Sequence, residues 1–278
     1  MILDALLDAV LDSLRALPFL LAAFALMEMM EKHSDRLASK LFNKFRKTGP
    51  IAGALLGLLP QCGFSAAMSN FYAAGIVTLG TLIAVFLSTS DEAVLIMLSS
   101  PSSVQEIIPL LTAKFIIALV FGFAVDLIFR NRPEEPDIED LCVDCGCHES
   151  KGILGPVLIH TRKIITWLLL ISFILNLIFE NISPESLAEL LGSNLFLQPL
   201  ITALIGLIPN CAVSVMFTKL YLAGSLSFAS TIAGLSSGAG LGLIVLFRME
   251  PDKKEAAKIA ALLYACAAIA GIVLNLLA

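Results

Sequence analysis

Apolar residues run along this chain in eight long stretches, at about 16–31, 51–74, 76–98, 107–129, 164–180, 198–223, 225–247 and 257–278. They follow neither the two-residue alternation of half-buried strands nor the narrow stripe of a soluble amphipathic helix. A helix needs about 20 predominantly apolar residues to cross ~30 Å of hydrocarbon. Leu17–Met30, Ile107–Phe129, Ile164–Phe179 and Ile259–Ala278 are the clearest candidates. The pattern predicts an all-α, polytopic membrane protein. Polar or Gly-rich islands interrupt the central stretches: Pro60-Gln61-Cys62-Gly63, Ser88-Thr89-Ser90-Asp91-Glu92, Pro209-Asn210-Cys211-Ala212 and Ser236-Ser237-Gly238-Ala239-Gly240. Backbone opened at membrane depth is tolerated only where protein or a water-filled cavity satisfies it. The islands therefore predict broken or re-entrant helices.

A shift of 149 positions aligns the chain with itself without a gap. It lays Gly57 to Ser65 over Gly206 to Ser214, Tyr72 over Tyr221, Gly75 over Gly224 and Ser88 over Ser237. Farther out it lays Gly122 over Gly271, Asp126 over Asn275 and Glu31 over Glu180. A register kept over most of each half predicts a duplication, with a repeat bundle at 1–130, a linker at 131–152 and a second bundle at 153–278.

The loops between stretches predict how the halves are oriented. Segment 31–49 carries Lys32, Arg36, Lys40, Lys44, Arg46 and Lys47, whereas its counterpart, 181–196, has Glu185 and Glu189 and no basic residue. Segment 99–106 also lacks Lys and Arg, whereas 248–258 has Arg248, Lys253, Lys254 and Lys258. Basic loops stay cytoplasmic, so the bias flips between halves as inverted-topology repeats require. Inversion needs an odd number of crossings per half. A re-entrant hairpin beside one full span in the central region meets that need, as do shorter broken helices.

Composition agrees: 58% of the 278 residues are hydrophobic and 15% charged, with mean hydropathy +0.91. A soluble domain has about 45–50% apolar and ~25% charged residues. The net charge of −5 adds little. Asp4, Asp8 and Asp12 are spaced for one face of a short surface helix ahead of the first span, and no basic leader region precedes it. The expected location is the cell membrane, with multiple passes. No gap between spans has room for a soluble catalytic domain.

Candidate chemistry follows the breaks. A two-fold relation between the halves brings Cys62 and Cys211 towards one cavity with Gln61, Asn210, Ser65 and Ser214. Thiolates select soft ions, and amide and hydroxyl oxygens replace lost hydration; a cysteine there is otherwise a small hydrophobe at a tight crossing. Ser88, Thr89, Ser90, Ser236 and Ser237 are further candidates for substrate contact. Asp91 and Glu92 follow one of these islands, and a carboxylate within a membrane faces a pathway or a partner. They are candidates for cation binding or proton coupling, unless that island lies at the outer surface. Serines at a broken-helix N-terminus suit an anion instead. Lys114 either neutralises Asp91 or Glu92 or snorkels, while Asp126, near Arg130, is read as interfacial. In the linker, Cys142, Cys145, Cys147 and His148 place four metal-ligand types in seven residues. Such a cluster fits metal capture or sensing on the cytoplasmic side, against the alternative of a disordered linker. Cys266 is read as packing.

The Pro-[Gln/Asn]-Cys-x-x-Ser pair, the Ser-Thr-Ser-Asp-Glu island and the Cys/His-rich linker resemble a bacterial and archaeal permease family over essentially the whole chain. That family is described as ten-helix heavy-metal exporters, and also as arsenic efflux or manganese transporters. The resemblance implies a secondary exporter of a metal or metalloid ion. With no nucleotide-binding loop in the chain, coupling falls to a proton or counter-ion. The alternative is a transporter of an inorganic anion or small polar metabolite held by hydroxyls and helix N-termini. A membrane thiol–disulfide oxidoreductase using Cys142 and Cys145 is disfavoured, because the motif lacks a thioredoxin-like strand–helix context. The expected partners are a small inorganic ion, the bilayer and a second copy in a homodimer. Nucleic acid is not expected, nor any cofactor beyond a bound metal ion.

Overall fold

A computed structural model describes residues 2–33, 48–59, 62–99, 104–129, 154–179 and 196–277. The described residues are helical throughout, joined by short turns. In the first half the helices are α1 (Ile2–His33), α2 (Thr48–Gly57), α3 (Cys62–Ala73), α4 (Leu79–Ser88), α5 (Asp91–Ser99) and α6 (Val104–Ile128). In the second they are α7 (Leu154–Phe179), α8 (Leu197–Gly206), α9 (Cys211–Leu222), α10 (Phe228–Ser237), α11 (Leu241–Met249) and α12 (Lys253–Leu277). Each central apolar stretch is thus two half-length helices rather than one. The three acidic residues at the N-terminus open α1 itself, which runs unbroken from Ile2 to His33, rather than a separate surface helix.

The shift of 149 carries the bounds of α2, α3, α4 and α6 onto those of α8, α9, α10 and α12, residue for residue. Helix α11 begins one residue later than α5 maps to, because Gly240 stands where Asp91 opens α5. Its φ of 54° and ψ of −138° are outside a helix and open to glycine. The local chemistry of the termini is duplicated too. Thr78 and Ser227 each cap the following helix, their hydroxyl oxygens accepting from the N–H of Thr81 and Ser230 at 3.2 and 3.1 Å. Gly75 and Gly224, at φ 72° and 74°, close α3 and α9 in the same paired-bond terminus.

Close approaches give the helix directions. A Cβ on Gly49, Gly53 or Gly57 of α2 would strike Thr81, then Thr81 and Val85, then Ser88 and Val85 along α4. Helices α2 and α4 therefore run side by side in the same direction. Since α3 ends five residues before α4 starts, it must return, so α2 and α3 form a hairpin that turns back at the depth of Ser88. In the second half, Gln198 and Thr202 of α8 bond to Ser227 and Ser230 of α10, and a Cβ on Gly206 would meet Gly234 and Ser237. Helix α9 therefore returns in the same way. Helix α6 runs against α4, with Gly122 over Ala84 and Pro50; Gly271 of α12 lies over Ala233 and Pro199.

Five segments among the described residues are long and apolar enough to cross a membrane. Two of them, Leu79–Ser99 and Phe228–Met249, are the broken pairs, and these are 81% and 83% buried, against 33% for Val104–Ile128. The interrupted helices form the centre. Helices α6, α7 and α12 form an outer layer whose apolar side chains, among them Ile108, Leu127, Ile174 and Leu276, point outward. Such a surface needs lipid as its solvent.

Candidate functional site

Half-helices end at the centre because the sequence interrupts them there. Helix α4 stops at Ser88, where Thr89 and Ser90 turn the chain before α5. The Ser88 hydroxyl donates to the carbonyls of Ala84 and Val85 at 2.8 and 3.1 Å, the Thr89 hydroxyl to Val85 at 2.7 Å, and the Ser90 hydroxyl to Ser88 at 3.1 Å. All three side chains are buried. Side-chain bonds of this kind compete with the helix ladder and favour a stop. In the second half, Ser237 donates to Gly234 at 3.0 Å, while the buried hydroxyl of its neighbour Ser236 has no hydrogen-bond partner among the described residues.

The start of α9 is held by Asn210. Its Oδ1 accepts from the Ala212 N–H at 2.7 Å, an N-cap, while its Nδ2 donates to Asn176 of α7 at 2.8 Å. One amide thus fixes the helix start and ties the hairpin to an outer helix. Cys211 follows it, half-buried, as the first residue of α9. Ser214 is half-buried one turn on, its carbonyl accepting from Thr218 at 2.7 Å. Its counterpart Ser65 is fully buried against α11, where a Cβ on Gly242 would come within 2.8 Å of it. There the Ser69 hydroxyl donates across the halves to the Gly242 carbonyl at 2.7 Å.

Lys114 of α6 reaches this centre and is fully buried. Its Nζ donates to the carbonyl of Thr89 at the end of α4, and to that of Leu235 in the last turn of α10 at 2.8 Å. The ends of two half-helices, one from each repeat, therefore meet at one amine. Lys114 is an interior residue, not a snorkelling one.

Several sequence candidates fall outside what the structure describes: Gln61, the side chains of Cys62, Asp91 and Glu92, and the cluster Cys142, Cys145, Cys147 and His148. The backbone puts Cys62 at the first position of α3 and Asp91 and Glu92 at the first positions of α5. Among the described residues, no three His, Cys, Asp or Glu side chains converge on a common point. Cys266 is buried in α12.

Three contacts were not foreseen. Asp126 is not merely interfacial: its carboxylate accepts from the Gly80 N–H at 2.7 Å and the Thr78 hydroxyl at 2.8 Å, capping α4 from a neighbouring helix. The other two form a pair. Tyr221 at the end of α9 donates to Glu106 at the start of α6 at 2.8 Å, and Tyr72 at the end of α3 lies 3.4 Å from Glu255 at the start of α12. The same shift of 149 relates the two tyrosines to each other and the two glutamates to each other, so each half approaches its partner at the same pair of positions, closely in one case and at longer range in the other. That register held the signal, since both residue types align under it.

Paired half-helices ending among polar groups at the buried centre, beside longer apolar helices, are the architecture of a membrane transporter. The family model described as "Putative, 10TM heavy-metal exporter" matches residues 1–180 and 169–278, and the chain belongs to that family. Counting α4–α5 and α10–α11 as one broken span each leaves five helical pieces per half, in keeping with that description. No curated protein and no solved structure matches the chain.

Proposed function

We propose that the chain is a secondary transporter that exports a metal or metalloid ion across the cell membrane by alternating access, its two halves standing as inverted repeats at 1–130 and 153–278 joined by the linker 131–152. The observation that carries this reading is the meeting of half-helix ends from both repeats at Lys114. Convergent broken helices offer an ion the N–H and carbonyl groups that a continuous helix keeps for itself. Support for inversion comes from helix directions. Ser65, one turn into α3, lies against Gly242 near the start of α11, and Tyr72 at the end of α3 reaches Glu255 in the first turn of α12, which follows the end of α11. Helices α3 and α11 thus run together, although α3 returns to the start of α4 and α11 continues away from the start of α10. The basic segments 31–49 and 248–258 then share one membrane face.

Cargo contacts in this reading come from Cys62, Cys211, Gln61, Asn210, Ser65 and Ser214 at the hairpins, with Asp91 or Glu92 as ion ligand and proton carrier. The linker thiols Cys142, Cys145 and Cys147, with His148, collect metal on the cytoplasmic side, and pairing into a homodimer is compatible with the outer layer. Purified protein in proteoliposomes loaded with soft and transition metals or arsenite, with flux followed by elemental analysis, tests the cargo. Efflux that is lost in Cys62→Ser and Cys211→Ser supports metal export. Failure of every such ion removes the assignment. A second reading, an oxyanion or polar solute held by hydroxyls, is favoured by the buried hydroxyl of Ser236, which has no partner among the described residues. It requires the cysteine variants to retain transport. Labelling that puts residues 44 and 189 on the same face would remove the inverted arrangement.

A further inference from the structure

We infer that Lys114 occupies a monovalent-cation site, its ammonium standing where an ion would otherwise bind the carbonyl ends of two half-helices. The inference rests on reading the central breaks as the transport core. Two of its acceptors are the Thr89 carbonyl, just past the last turn of α4, and the Leu235 carbonyl, in the last turn of α10. Carbonyls of a last turn have no partner within their own helix, and they carry the negative pole of its dipole. Half-helix C-termini and unwound carbonyls are the groups with which broken-helix transporters coordinate sodium or protons.

The repeat shows that the fold itself does not demand an amine. The counterpart of Lys114 under the shift of 149 is Leu263, which is equally buried. One half fills the position with hydrocarbon and the other with a cation, so the site exists once. A pair of carbonyls already holding a tethered ammonium has no call for sodium or potassium. The core is therefore assembled independently of those ions.

The test uses the full chain in detergent micelles, with unfolding followed by the fluorescence of Trp167, the single tryptophan. Wild type, Lys114→Ala and Lys114→Met are melted in chlorides of sodium, potassium, ammonium, methylammonium and, as a bulky control, N-methylglucamine, at equal ionic strength. Wild type is expected to melt alike in all. Lys114→Ala, which opens space for an ion, is expected to melt low in N-methylglucamine and to regain more than half of the loss, saturably, in at least one small cation. Lys114→Met fills the space without charge and is expected to stay low in every salt. If Lys114→Ala folds only when a small cation is present during purification, the inference stands. If it folds in none, melts alike in all, or if Lys114→Met matches wild type, the inference is overturned. The readout involves no cargo, so a transport assay that finds no substrate leaves this result intact, and the reverse also holds.

Discussion

Removing one hydroxyl, in Tyr221→Phe, measures how firmly the two repeats are joined at one end of the molecule. The Tyr221 hydroxyl donates to Glu106 at 2.8 Å, within the usual range for an O–H donor, and both residues are half-buried. A hydrogen bond to a charged group contributes about 1.5–3 kcal/mol. Partial exposure lets water replace the lost donor, which brings the expected cost to about 1–1.5 kcal/mol. The symmetry-related Tyr72 lies 3.4 Å from Glu255, beyond the range of a good O–H···O bond. The Tyr72–Glu255 contact itself should therefore contribute less than ~0.5 kcal/mol. Double-mutant cycles separate the bond from the other effects of each change, pairing Tyr221→Phe with Glu106→Gln and Tyr72→Phe with Glu255→Gln. Stability is read from denaturant unfolding in micelles by Trp167 fluorescence. The expected coupling is about 1 kcal/mol for the first pair and near zero for the second. Equal couplings, or none at Tyr221–Glu106, would refute the claim that these bonds join the halves unequally.

Two further predictions concern the hairpin and the cap. A Cβ at Gly206 would lie 2.2 Å from the Gly234 carbonyl oxygen and 2.2 Å from Ser237 Oγ; Gly206→Ala should destabilise by about 3 kcal/mol in denaturant titration. Adding Ser237→Ala should not restore it, because the backbone obstacle remains, and full rescue would show that α8 and α10 are less tightly apposed. Asp126→Ala should cost about 1–2 kcal/mol by removing the acceptor at the start of α4, whereas Asp126→Asn should cost much less, since an amide oxygen still accepts from the Gly80 N–H. Equal losses in thermal melting would show that charge, not the hydrogen bond, governs there.

The chain alone determined the membrane class, the duplication and the places where helices break. Each is written locally: apolar run length sets what can sit in lipid, a constant shift of 149 needs no structure to see, and the Pro-amide-Cys turns and Ser- or Gly-rich islands carry the residues that interrupt helices. Even so, four stretches per half became six helices, because hydropathy averages across a two-residue break such as Thr89–Ser90. Only the tertiary structure decided who meets whom. Lys114 finds an acceptor 121 residues away in the other repeat, and Asp126 caps a neighbouring helix. Tyr221 and Tyr72 each cross to the opposite half. A hydrogen bond depends on positions in space to within a few tenths of an ångström, and no periodicity along the chain encodes which distant carbonyl a buried amine will reach.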